Sequence, residues 1–533
     1  MSQRARSFWS WGWEDRFPDA AGQRALAGQI HGLLGLEPDA PRRPPEMSDA
    51  LLDPPRVTPP ESLWTFCTTA ARNRIRHTYG RAWRDQMRGF NADFRAAPDC
   101  VALPESEAHL EQLFEWCTRE RVALVPWGGG TSVVGGLEVA RLSRHTGVVC
   151  VDLARFGKVL EIDDVSNVAR IQAGALGPAI EAALAPKGLT LRHFPQSFEF
   201  STFGGWVATR AGGHFATQYT HIDDLLQSVR MVTPAGVVET RRVPASGAGP
   251  APDRLILGSE GALGVVTEGW ARVRPRPRWR GAATAVFDTF EQGVAAARAL
   301  AQSGLNPTNC RLIDGVEAAL NGVSLDGRPV LLIGFESSLA DVAPWLDVAV
   351  ECARAHGGAF ARPPTVRTVD PQGDPGADAW RAAFVEAPYL QSALLSMGIM
   401  ADTFETACTW RSFPAVHAAV VRDVTEALND VCGGGRVTCR FTHVYPDGPA
   451  PYYTFMGRVR RGSELTQWAE VKAAASEALL AHGATITHHH AVGRTHRPWY
   501  DREVGVVYGR ALKAVKRALD PAGILNPGVL VDV

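Results

Sequence analysis

The sequence predicts an α+β fold of several domains: a helical N-terminal region, a domain of glycine-rich loops and strands, and a second α+β domain placed over the loops. Three observations support this prediction. The chain has 533 residues, more than a single hydrophobic core usually holds. Three glycine-rich loops follow one another, separated by strand-like runs such as 148–153 and 229–233. After about residue 280, helical and strand-like segments alternate.

Residues 1–94 form the first predicted region, which mixes tryptophan-rich and proline-rich segments. The run from Pro41 to Pro60 is predicted to be an extended connector, because proline disfavours a helix interior. The N-terminus carries arginines without a following apolar core, so it does not resemble a secretory signal. No apolar run reaches the length of a membrane span.

The first glycine-rich loop runs from Pro126 to Gly136 and follows the apolar run 122–125. Its successive glycines reach positive φ at little cost, so main-chain N–H groups can surround a phosphate without a basic side chain. The spacing matches neither the triphosphate-binding Gly-Lys-Ser/Thr loop nor the G-x-G-x-x-G dinucleotide loop. The loop predicts a pyrophosphate site, although a simple glycine-rich turn is the alternative for one such loop alone.

Two further loops extend this pattern. Residues 195–213 offer hydroxyls and paired glycines, and residues 256–267 make a second tight turn into a strand. Together the three loops resemble those of the flavoproteins typified by vanillyl-alcohol oxidase, over about residues 95–275. The resemblance implies a two-subdomain FAD-binding domain of the PCMH type at residues 95–278.

The resemblance also implies that the three loops hold FAD, and the first loop contains no histidine, cysteine or tyrosine for a covalent link. The residues expected to contact it are Pro126, Gly128, Gly129, Gly130, Thr131, Ser132, Val133, Pro195, Ser197, Ser201, Thr202, Gly204, Gly205, Thr209, Arg210, Gly212, Glu260, Gly261, Gly264, Val265 and Val266. His193, His214 and Tyr219 flank the second loop. Noncovalent FAD is nevertheless predicted, because the synthases that other segments of this chain resemble hold FAD without a covalent bond. The segment 519–528 is also typical of this family, so residues 491–533 are expected to return to the FAD domain.

Composition excludes several classes of function. Hydrophobic residues make up 45% and charged residues 21% of the chain, which is typical of a folded protein with a full core. The formal net charge is −1, so no overall field attracts nucleic acid. The nine cysteines form no C-x-x-C pair and the histidines show no zinc-finger spacing, which favours a reducing, cytoplasmic setting.

The second domain is predicted at residues 279–490. Helical runs such as 292–303 and 342–355 alternate there with strand-like runs such as 436–445. We expect this cap and substrate domain to determine the chemistry, because the glycine-rich loops are shared by enzymes with different reactions.

Three segments resemble the alkylglycerone-phosphate synthases, the flavoenzymes that make the ether bond of ether lipids. They are Trp9–Trp13, Thr442–Phe455 and Ile486–Arg494, and the last contains three consecutive histidines. Arg311–Asp314 and Thr403–Thr406 also match. The likeness therefore covers most of the chain.

The histidine run, His488, His489 and His490, is the most specific of these segments. An imidazole titrates near pH ~6.5, so it can take and return a proton under working conditions. The resemblance implies that the run activates a fatty alcohol, with His489 and His490 the stronger candidates. The alternatives are a metal site and a capping loop. Because adjacent residues on a strand point to opposite faces, no metal ion is predicted here.

Tyr452 aligns with the tyrosine that the resembled synthases place near the α-proton of their substrate. A phenol has a reference pKa near ~10, so it needs a neighbour such as a protonated histidine or an arginine to act as a base. Tyr453 is the alternative if the register is shifted by one residue. A buried aromatic residue with a hydrogen-bonded hydroxyl is the structural alternative for Tyr452.

One substitution separates this chain from the resembled synthases. Gln391 stands where they carry an arginine that holds the substrate phosphate. A charge-assisted hydrogen bond contributes about 1.5–3 kcal/mol, so phosphate binding at this position should be weaker. Arg494, Arg497 or Arg381 is expected to replace that arginine. Alternatively, the native substrate carries no phosphate there.

The resemblance implies a reaction in which the flavin stays oxidised overall. An acylated dihydroxyacetone phosphate, or a related ketone ester, would exchange its acyl group for a long-chain alcohol through an adduct at flavin N5. The alternative is an FAD-linked dehydrogenase or oxidase of a hydroxy acid or alcohol, although the H-x-G-D-G-N-x-H metal element of hydroxy-acid dehydrogenases is absent. The expected partners are these lipid substrates. The sequence leaves open a homodimer and peripheral contact with a membrane.

Overall fold

The computed structural model describes residues 4–138, 144–324, 326–368 and 375–533, with the backbone alone for 375–385. Its helices are α1 Ala20–Leu34, α2 Ala71–Arg76, α3 Trp83–Phe90, α4 Glu107–Glu120, α5 Gly177–Leu184, α6 Phe203–Thr209, α7 Ile222–Leu225, α8 Asp253–Ile256, α9 Phe290–Gln302, α10 Gly315–Leu320, α11 Ala343–Ala355, α12 Pro375–Ser396, α13 Phe413–Cys432, α14 Glu464–Ala481 and α15 Arg497–Leu519. Its strands are β1 Cys67–Thr68, β2 Cys100–Ala102, β3 Val122–Trp127, β4 Gly147–Asp152, β5 Val159–Asp163, β6 Val168–Gln172, β7 Leu189–Thr190, β8 Leu226–Thr233, β9 Gly236–Glu239, β10 Val265–Arg272, β11 Arg274–Pro275, β12 Trp279–Val286, β13 Asn309–Ile313, β14 Val330–Ser337, β15 Thr365–Thr368, β16 Ile399–Glu405, β17 Gly435–Val444 and β18 Pro449–Arg458. The α+β prediction is confirmed.

Two main sheets form the first half of the chain. The four-stranded sheet has the order β1-β2-β4-β3, and its strands β2, β4 and β3 are parallel. The five-stranded antiparallel sheet has the order β5-β6-β10-β8-β9. One hydrophobic core joins them, with Leu110 and Val149 on one side and Ile171 and Val265 on the other. This arrangement confirms the predicted fold with two subdomains.

The first glycine-rich loop starts from a fixed strand end. Helix α4 begins after Ser106, whose hydroxyl accepts a hydrogen bond from the amide of His109, and it ends at Arg121, which has φ 54°. Strand β3 follows at once and is also held by the C-terminal segment. The amide of Leu124 donates to the carbonyl of Ile524 at 2.8 Å.

The second half is built on a seven-stranded antiparallel sheet of order β15-β12-β14-β13-β17-β18-β16. Alternate residues of its strands point to opposite faces. Cys439, Tyr453 and Phe455 belong to a hydrophobic core with residues of α13 and α14. The intervening residues, such as Arg440 and Tyr452, line a cavity on the other face. One face of the sheet is therefore structural, and the other is open to a ligand.

The N-terminal region contains helices, as predicted, and contacts both halves of the chain. Trp9 packs on Phe90, with 5.1 Å between the ring centroids. Trp13 packs on Phe200 of the second glycine-rich loop at 5.1 Å, and its amide donates to the hydroxyl of Tyr389 at 3.2 Å. This region is thus part of the folded body.

Helix α15 is not regular along its whole length. The helix is broken at Gly505 by φ 72° and ψ 169°, a conformation that glycine adopts at little cost. Among the helices of the described residues, none is long and apolar enough to cross a membrane.

Candidate active site

A cavity of about 370 Å³ lies between the glycine-rich loops and the seven-stranded sheet. The first two loops line it with Gly128, Gly129, Gly130, Thr131, Ser132, Val133, Pro195, Gln196, Ser197, Ser201, Thr202, Gly205, Trp206, Thr209, Ala211, Gly212 and Gly213. The polar lining opposite includes Arg311, Thr403, Arg440, Thr442, His443, Tyr452, His489 and His490. The site is therefore built where the two halves of the chain meet.

The first two loops pack too closely to accommodate side chains at their glycines. A Cβ on Gly129 would overlap the carbonyl of Phe200, and a Cβ on Gly128 would overlap the hydroxyl of Thr202. Gly130 has φ 68°, which favours glycine. Bare backbone therefore faces the cavity, as the binding of a pyrophosphate requires. In this respect the residues present fit FAD.

The third loop supports the site from behind. The carboxylate of Glu260 accepts hydrogen bonds from the amides of Val492 at 2.9 Å and Gly493 at 2.8 Å, and burial raises its pKa to about 7. Asn526 donates to the carbonyl of Glu260 at 2.7 Å. The loop thus fixes the segment that follows the histidine run. The predicted FAD contacts of the third loop are not among the described residues that line the cavity; they are Glu260, Gly261, Gly264, Val265 and Val266.

Three more predicted FAD contacts lie outside the described lining of the cavity, namely Pro126, Gly204 and Arg210. A Cβ on Gly204 would lie 2.5 Å from the Cβ of Ala173, so this glycine serves helix packing. Arg210 makes an ion pair with Asp223 at 2.7 Å. Contacts of these three residues with FAD remain predictions.

The histidine run forms a bend that is held by Glu405, the last residue of β16. The buried carboxylate of Glu405 accepts hydrogen bonds from the amides of His488 at 2.6 Å, His489 at 3.2 Å and His490 at 2.9 Å, and from the hydroxyl of Thr487 at 2.6 Å. Burial alone would raise the pKa of Glu405, but the neighbouring imidazoles and these donors hold it well below its usual range. Glu405 lies in the matching segment Thr403–Thr406, but no sequence pattern indicates this role.

Two rings of the run meet, because the backbone bends here and does not form a strand. Nδ1 of His488 lies 3.0 Å from Nδ1 of His489. With His443, these residues place three ring nitrogens within 4.8 Å of one another, a set that could hold a metal ion. The strand geometry used to argue against a shared ion was therefore wrong. That the site holds no metal remains a prediction.

His488 also contacts residues that the sequence did not single out. Its Nε2 lies 3.1 Å from Nε2 of His221 and 2.7 Å from the hydroxyl of Tyr445. His443 is fixed separately, with Nε2 3.0 Å from the carbonyl of Gly213. No sequence spacing joins His221, Tyr445 and His488, so only the fold could reveal the cluster. Of the three histidines of the run, His488 is the one outside the described cavity lining.

The imidazoles of the site are held in their neutral form. Burial lowers the pKa of His489, although Glu405 opposes this effect. Burial likewise lowers the pKa of His490 to about 3, and it lowers the pKa of His488 well below its usual value. Neutral imidazoles at working pH can accept a proton.

Tyr452 lies in register between Glu405 on β16 and Arg440 on β17. Its hydroxyl donates to the hydroxyl of Thr403 at 3.0 Å, and the guanidinium carbon of Arg440 lies 3.9 Å from the ring centroid. Burial raises the pKa of Tyr452, although Arg440 opposes this effect. The arginine neighbour required for a base is present, but the resting group is a neutral phenol.

Tyr453 points to the opposite face. It is fully buried in the core, and its hydroxyl lies 3.2 Å from Nδ1 of His417. The structure therefore places Tyr452, and not the alternative Tyr453, on the cavity face.

Two arginines line the cavity beside Tyr452. Arg440 makes an ion pair with Glu317. Arg311 is 1% exposed, and its burial lowers its pKa to about 9. Arg311 lies in the matching segment Arg311–Asp314, but no sequence pattern indicates a role for either arginine.

Gln391 lines the cavity, but its amide is engaged by the protein. Its Oε1 accepts a hydrogen bond from Gln86 at 3.0 Å, and its Nε2 donates to the carbonyl of Ala401 at 2.7 Å. Of the arginines expected to compensate, Arg494 donates to the carbonyl of Glu138 at 3.2 Å and lies outside the described lining.

The other two arginines expected to replace the family arginine, Arg497 and Arg381, are not observed at the cavity in the part of the chain that the structure describes. Arg497 pairs with Asp532 at 2.8 Å, and it is not among the described residues that line the cavity. The side chain of Arg381 lies outside the described residues. Arg311 and Arg440 are therefore better placed to bind an anion.

The opposite end of the cavity is apolar. Leu26 and Ile30 of α1 meet Leu394 of α12 and Met456 of β18 in one hydrophobic cluster, and Leu320 packs against it. All five residues line the cavity. One continuous space therefore joins charged groups to an apolar wall.

Two family models match this chain. The model described as "FAD binding domain" matches residues 98–241. The model described as "FAD linked oxidases, C-terminal domain" matches residues 276–530. Together they account for the first two glycine-rich loops and for the sheet that covers them, and they confirm the expected cofactor.

Curated relatives match over most of the chain. It is 30% identical over 484 residues to the alkyldihydroxyacetonephosphate synthase of Dictyostelium discoideum, covering 86% of this chain and 77% of that protein. It is also 30% identical over 521 residues to the Caenorhabditis elegans protein of the same name, covering 92% and 86%. A solved structure of an alkyldihydroxyacetonephosphate synthase superposes with a TM-score of 0.79 at 24% identity and covers 98% of this chain and 97% of the other.

Proposed function

Because this chain belongs to the alkyldihydroxyacetonephosphate synthase family, we propose that it makes the ether bond of ether lipids from an acylated dihydroxyacetone phosphate and a long-chain alcohol. The alcohol oxygen bonds to the substrate carbon that carried the acyl group. The acyl group leaves as a fatty carboxylate, and the alcohol gives up one proton. No net oxidation occurs.

One observation supports this substrate class best: the cavity joins a polar end to an apolar end. Arg311, Arg440 and His489 line the polar end, whereas Leu394 and Met456 line the apolar end. A lipid with a charged headgroup has the same division, so its chain can leave water while its phosphate stays paired.

We propose that the first two glycine-rich loops hold the pyrophosphate of FAD through the main chain of Gly128, Gly129 and Gly130. When bound, FAD supplies an electron-poor ring system suited to covalent catalysis. The side chains of the protein then bind the lipid substrates and move protons around them.

His489 and His490 are the proposed proton acceptors for the alcohol. Both imidazoles line the cavity, and both are neutral because burial lowers their pKa. Glu405 fixes the backbone of both residues, and its negative charge favours the imidazolium that forms on proton transfer.

Tyr452 is proposed to act at the carbon next to the substrate ketone. Its hydroxyl faces Thr403 and its ring faces Arg440. Because its pKa is raised in the resting protein, the phenol is a hydrogen-bond donor until its proton is taken. Arg440 is the group that would stabilise the phenolate.

We propose that Arg311 and Arg440 bind the substrate phosphate, because Gln391 cannot supply the charge of the family arginine. A guanidinium pairs with phosphate through two parallel hydrogen bonds, whereas an amide offers none of that charge.

The domain limits predicted from the sequence are proposed at residues 1–94, 95–278, 279–490 and 491–533. The sheet boundaries support the limit at 278, because β11 ends at Pro275 and β12 begins at Trp279. A cytoplasmic location, a homodimer and peripheral contact with a membrane remain predictions.

An anaerobic assay tests the function. Holoenzyme is mixed with an acylated dihydroxyacetone phosphate and a fatty alcohol, and separately with hydroxy acids, while the flavin spectrum and the lipid products are followed. We expect an ether lipid and a fatty acid in equal amounts, with the flavin oxidised at the end. Lasting bleaching by a hydroxy acid, without ether, would instead identify a dehydrogenase.

A further inference from the structure

We propose that His488 and His221 form a proton relay that connects His489 in the cavity to the protein surface. This inference rests on the proposed function, in which His489 accepts a proton from the alcohol. Tyr445 lies in the segment Thr442–Phe455 and His221 follows the second glycine-rich loop, but no motif marks either residue as part of the chemistry.

The proposed reaction must release a proton in every turnover. A neutral alcohol and an ester become an ether and a carboxylic acid, and the acid is ionised at neutral pH. The proton that leaves the alcohol oxygen is therefore delivered to solvent once per cycle. A lipid bound in the cavity would lie beside His489, so this proton needs a path that does not lead through the substrate.

The first link joins two adjacent rings. Nδ1 of His489 lies 3.0 Å from Nδ1 of His488, which is hydrogen-bond distance. The bend imposed by Glu405 produces this geometry, because it fixes the amides of both residues. A proton on His489 therefore has an acceptor directed away from the substrate.

The second link reaches the surface. Nε2 of His488 lies 3.1 Å from Nε2 of His221, so His488 can receive a proton on one ring nitrogen and release another from the opposite nitrogen. His221 is partly exposed, and its Nδ1 lies 3.0 Å from the carbonyl of the exposed residue Arg210. The chain of rings thus ends beside solvent.

Tyr445 positions the central ring of this relay. Its hydroxyl lies 2.7 Å from Nε2 of His488 and 3.1 Å from the hydroxyl of Thr220. Burial raises the pKa of Tyr445 to about 12, so it remains a neutral hydroxyl. Tyr445 holds the His488 ring so that Nε2 of His488 stays near His221.

His443 lies close to these rings but is not part of the path. Its Nε2 lies 3.0 Å from the carbonyl of Gly213, and its Nδ1 lies 3.1 Å from the hydroxyl of Thr442. Among the described residues, its nitrogens bond to Gly213 and Thr442 and not to His221, so His443 does not continue the path.

The test compares His221→Ala and His221→Asn with the matched control His356→Asn. His356 is also partly exposed, and its Nδ1 lies 2.8 Å from a carbonyl, that of Cys352, far along the sequence from the site. We expect the two His221 variants to lose about tenfold or more in kcat, with KM and bound flavin unchanged. Imidazole added to the buffer should restore turnover of His221→Ala, and the solvent deuterium isotope effect on its kcat should increase. His356→Asn should match the wild type.

A structural role for His221 would produce a different result. The relay is overturned by an unchanged kcat in both variants, or by a decrease in kcat that imidazole does not reverse. The proposed function still stands in that case if the wild type forms the ether. If the wild type forms no ether, the function and the relay fall together. Tyr445→Phe gives a second measurement: kcat should decrease less than in His221→Ala, because the second ring remains in place.

Discussion

The carboxylate of Glu405 lies 2.6 Å from the main-chain nitrogen of His488. Through this contact and its neighbours, one buried negative charge sets the backbone of the whole histidine run. Strand β16 of the seven-stranded sheet therefore determines the position of the histidine run, because Glu405 is the last residue of β16.

We predict that Glu405→Gln lowers kcat about 10- to 100-fold. The substituted amide keeps one acceptor oxygen but turns an NH₂ group toward main-chain donors, and it removes the charge that favours a protonated imidazole. Steady-state ether formation measures the effect. Glu477→Gln is the control, because Glu477 forms a surface pair with Arg502 at 2.8 Å. Full activity of Glu405→Gln would contradict the positioning role.

Adjacent tyrosines on β18 allow a matched comparison. Tyr452→Phe should reduce kcat by about 100-fold or more, since it removes the only titratable group of that side chain. Tyr453→Phe should keep its activity and lose about 1 kcal/mol of unfolding free energy, because it removes a buried hydrogen bond to His417. Equal losses of kcat in the two variants would argue against a chemical role for Tyr452.

Gly129→Ala should prevent FAD binding. Its methyl group would overlap the carbonyl of Phe200, so the two loops would have to separate. The ratio of flavin absorbance to protein measures the loss. Gly509→Ala should retain its flavin, because no atom lies within 4 Å of the added Cβ. Acid precipitation of the wild type should release the flavin into the supernatant, and colour in the pellet would refute noncovalent binding.

A bulkier side chain at the apolar end of the cavity should shorten the lipids that the enzyme accepts. Met456→Trp adds volume beside Leu26 and Leu394 in the buried cluster, so long chains should lose kcat/KM relative to short chains. A series of alcohols and acyl groups measures the change. Leu339→Trp is the control, since Leu339 is 89% exposed. An unchanged chain-length profile would remove this wall from the substrate site.

The pH dependence of kcat/KM should show that the imidazoles of the site are neutral at about pH 7. Burial lowers the pKa of His489 below its usual value of about 6.5. A base with a lowered pKa stays unprotonated at lower pH, so kcat/KM should remain constant from about pH 8 to about pH 6.5 and decrease only below that range. An acid limb centred above about pH 6.5 would contradict this direction.

The sequence predicted those parts of the molecule that depend on local pattern. The glycines at 128–130 indicated a backbone cradle, and alternation along β18 is consistent with the placement of Tyr452 and Tyr453 on opposite faces. The bend at the histidine run was missed, because it depends on Glu405, more than 80 residues earlier in the chain. Contacts of this kind follow from strand register, which a single sequence does not specify.

The proposed relay and the proposed anion site could not be predicted from the sequence for the same reason. His221 and His488 are 267 residues apart, and neither lies in a spacing that predicts contact. Gln391 looked like the loss of a charge, but Arg311 and Arg440 already provide guanidinium groups in the same cavity.

The first turns of the chain form part of the wall of the cavity, through Trp11, Leu26 and Ile30. A recombinant fragment trimmed to begin at residue 98, where the first family match starts, would retain the residues of the five-stranded and seven-stranded sheets. It would nevertheless lack Trp11, Leu26 and Ile30, so the cavity would open to bulk water on that side. Such a fragment could still turn yellow with flavin and yet be inert, so colour alone is a poor criterion for choosing a shortened version of this enzyme.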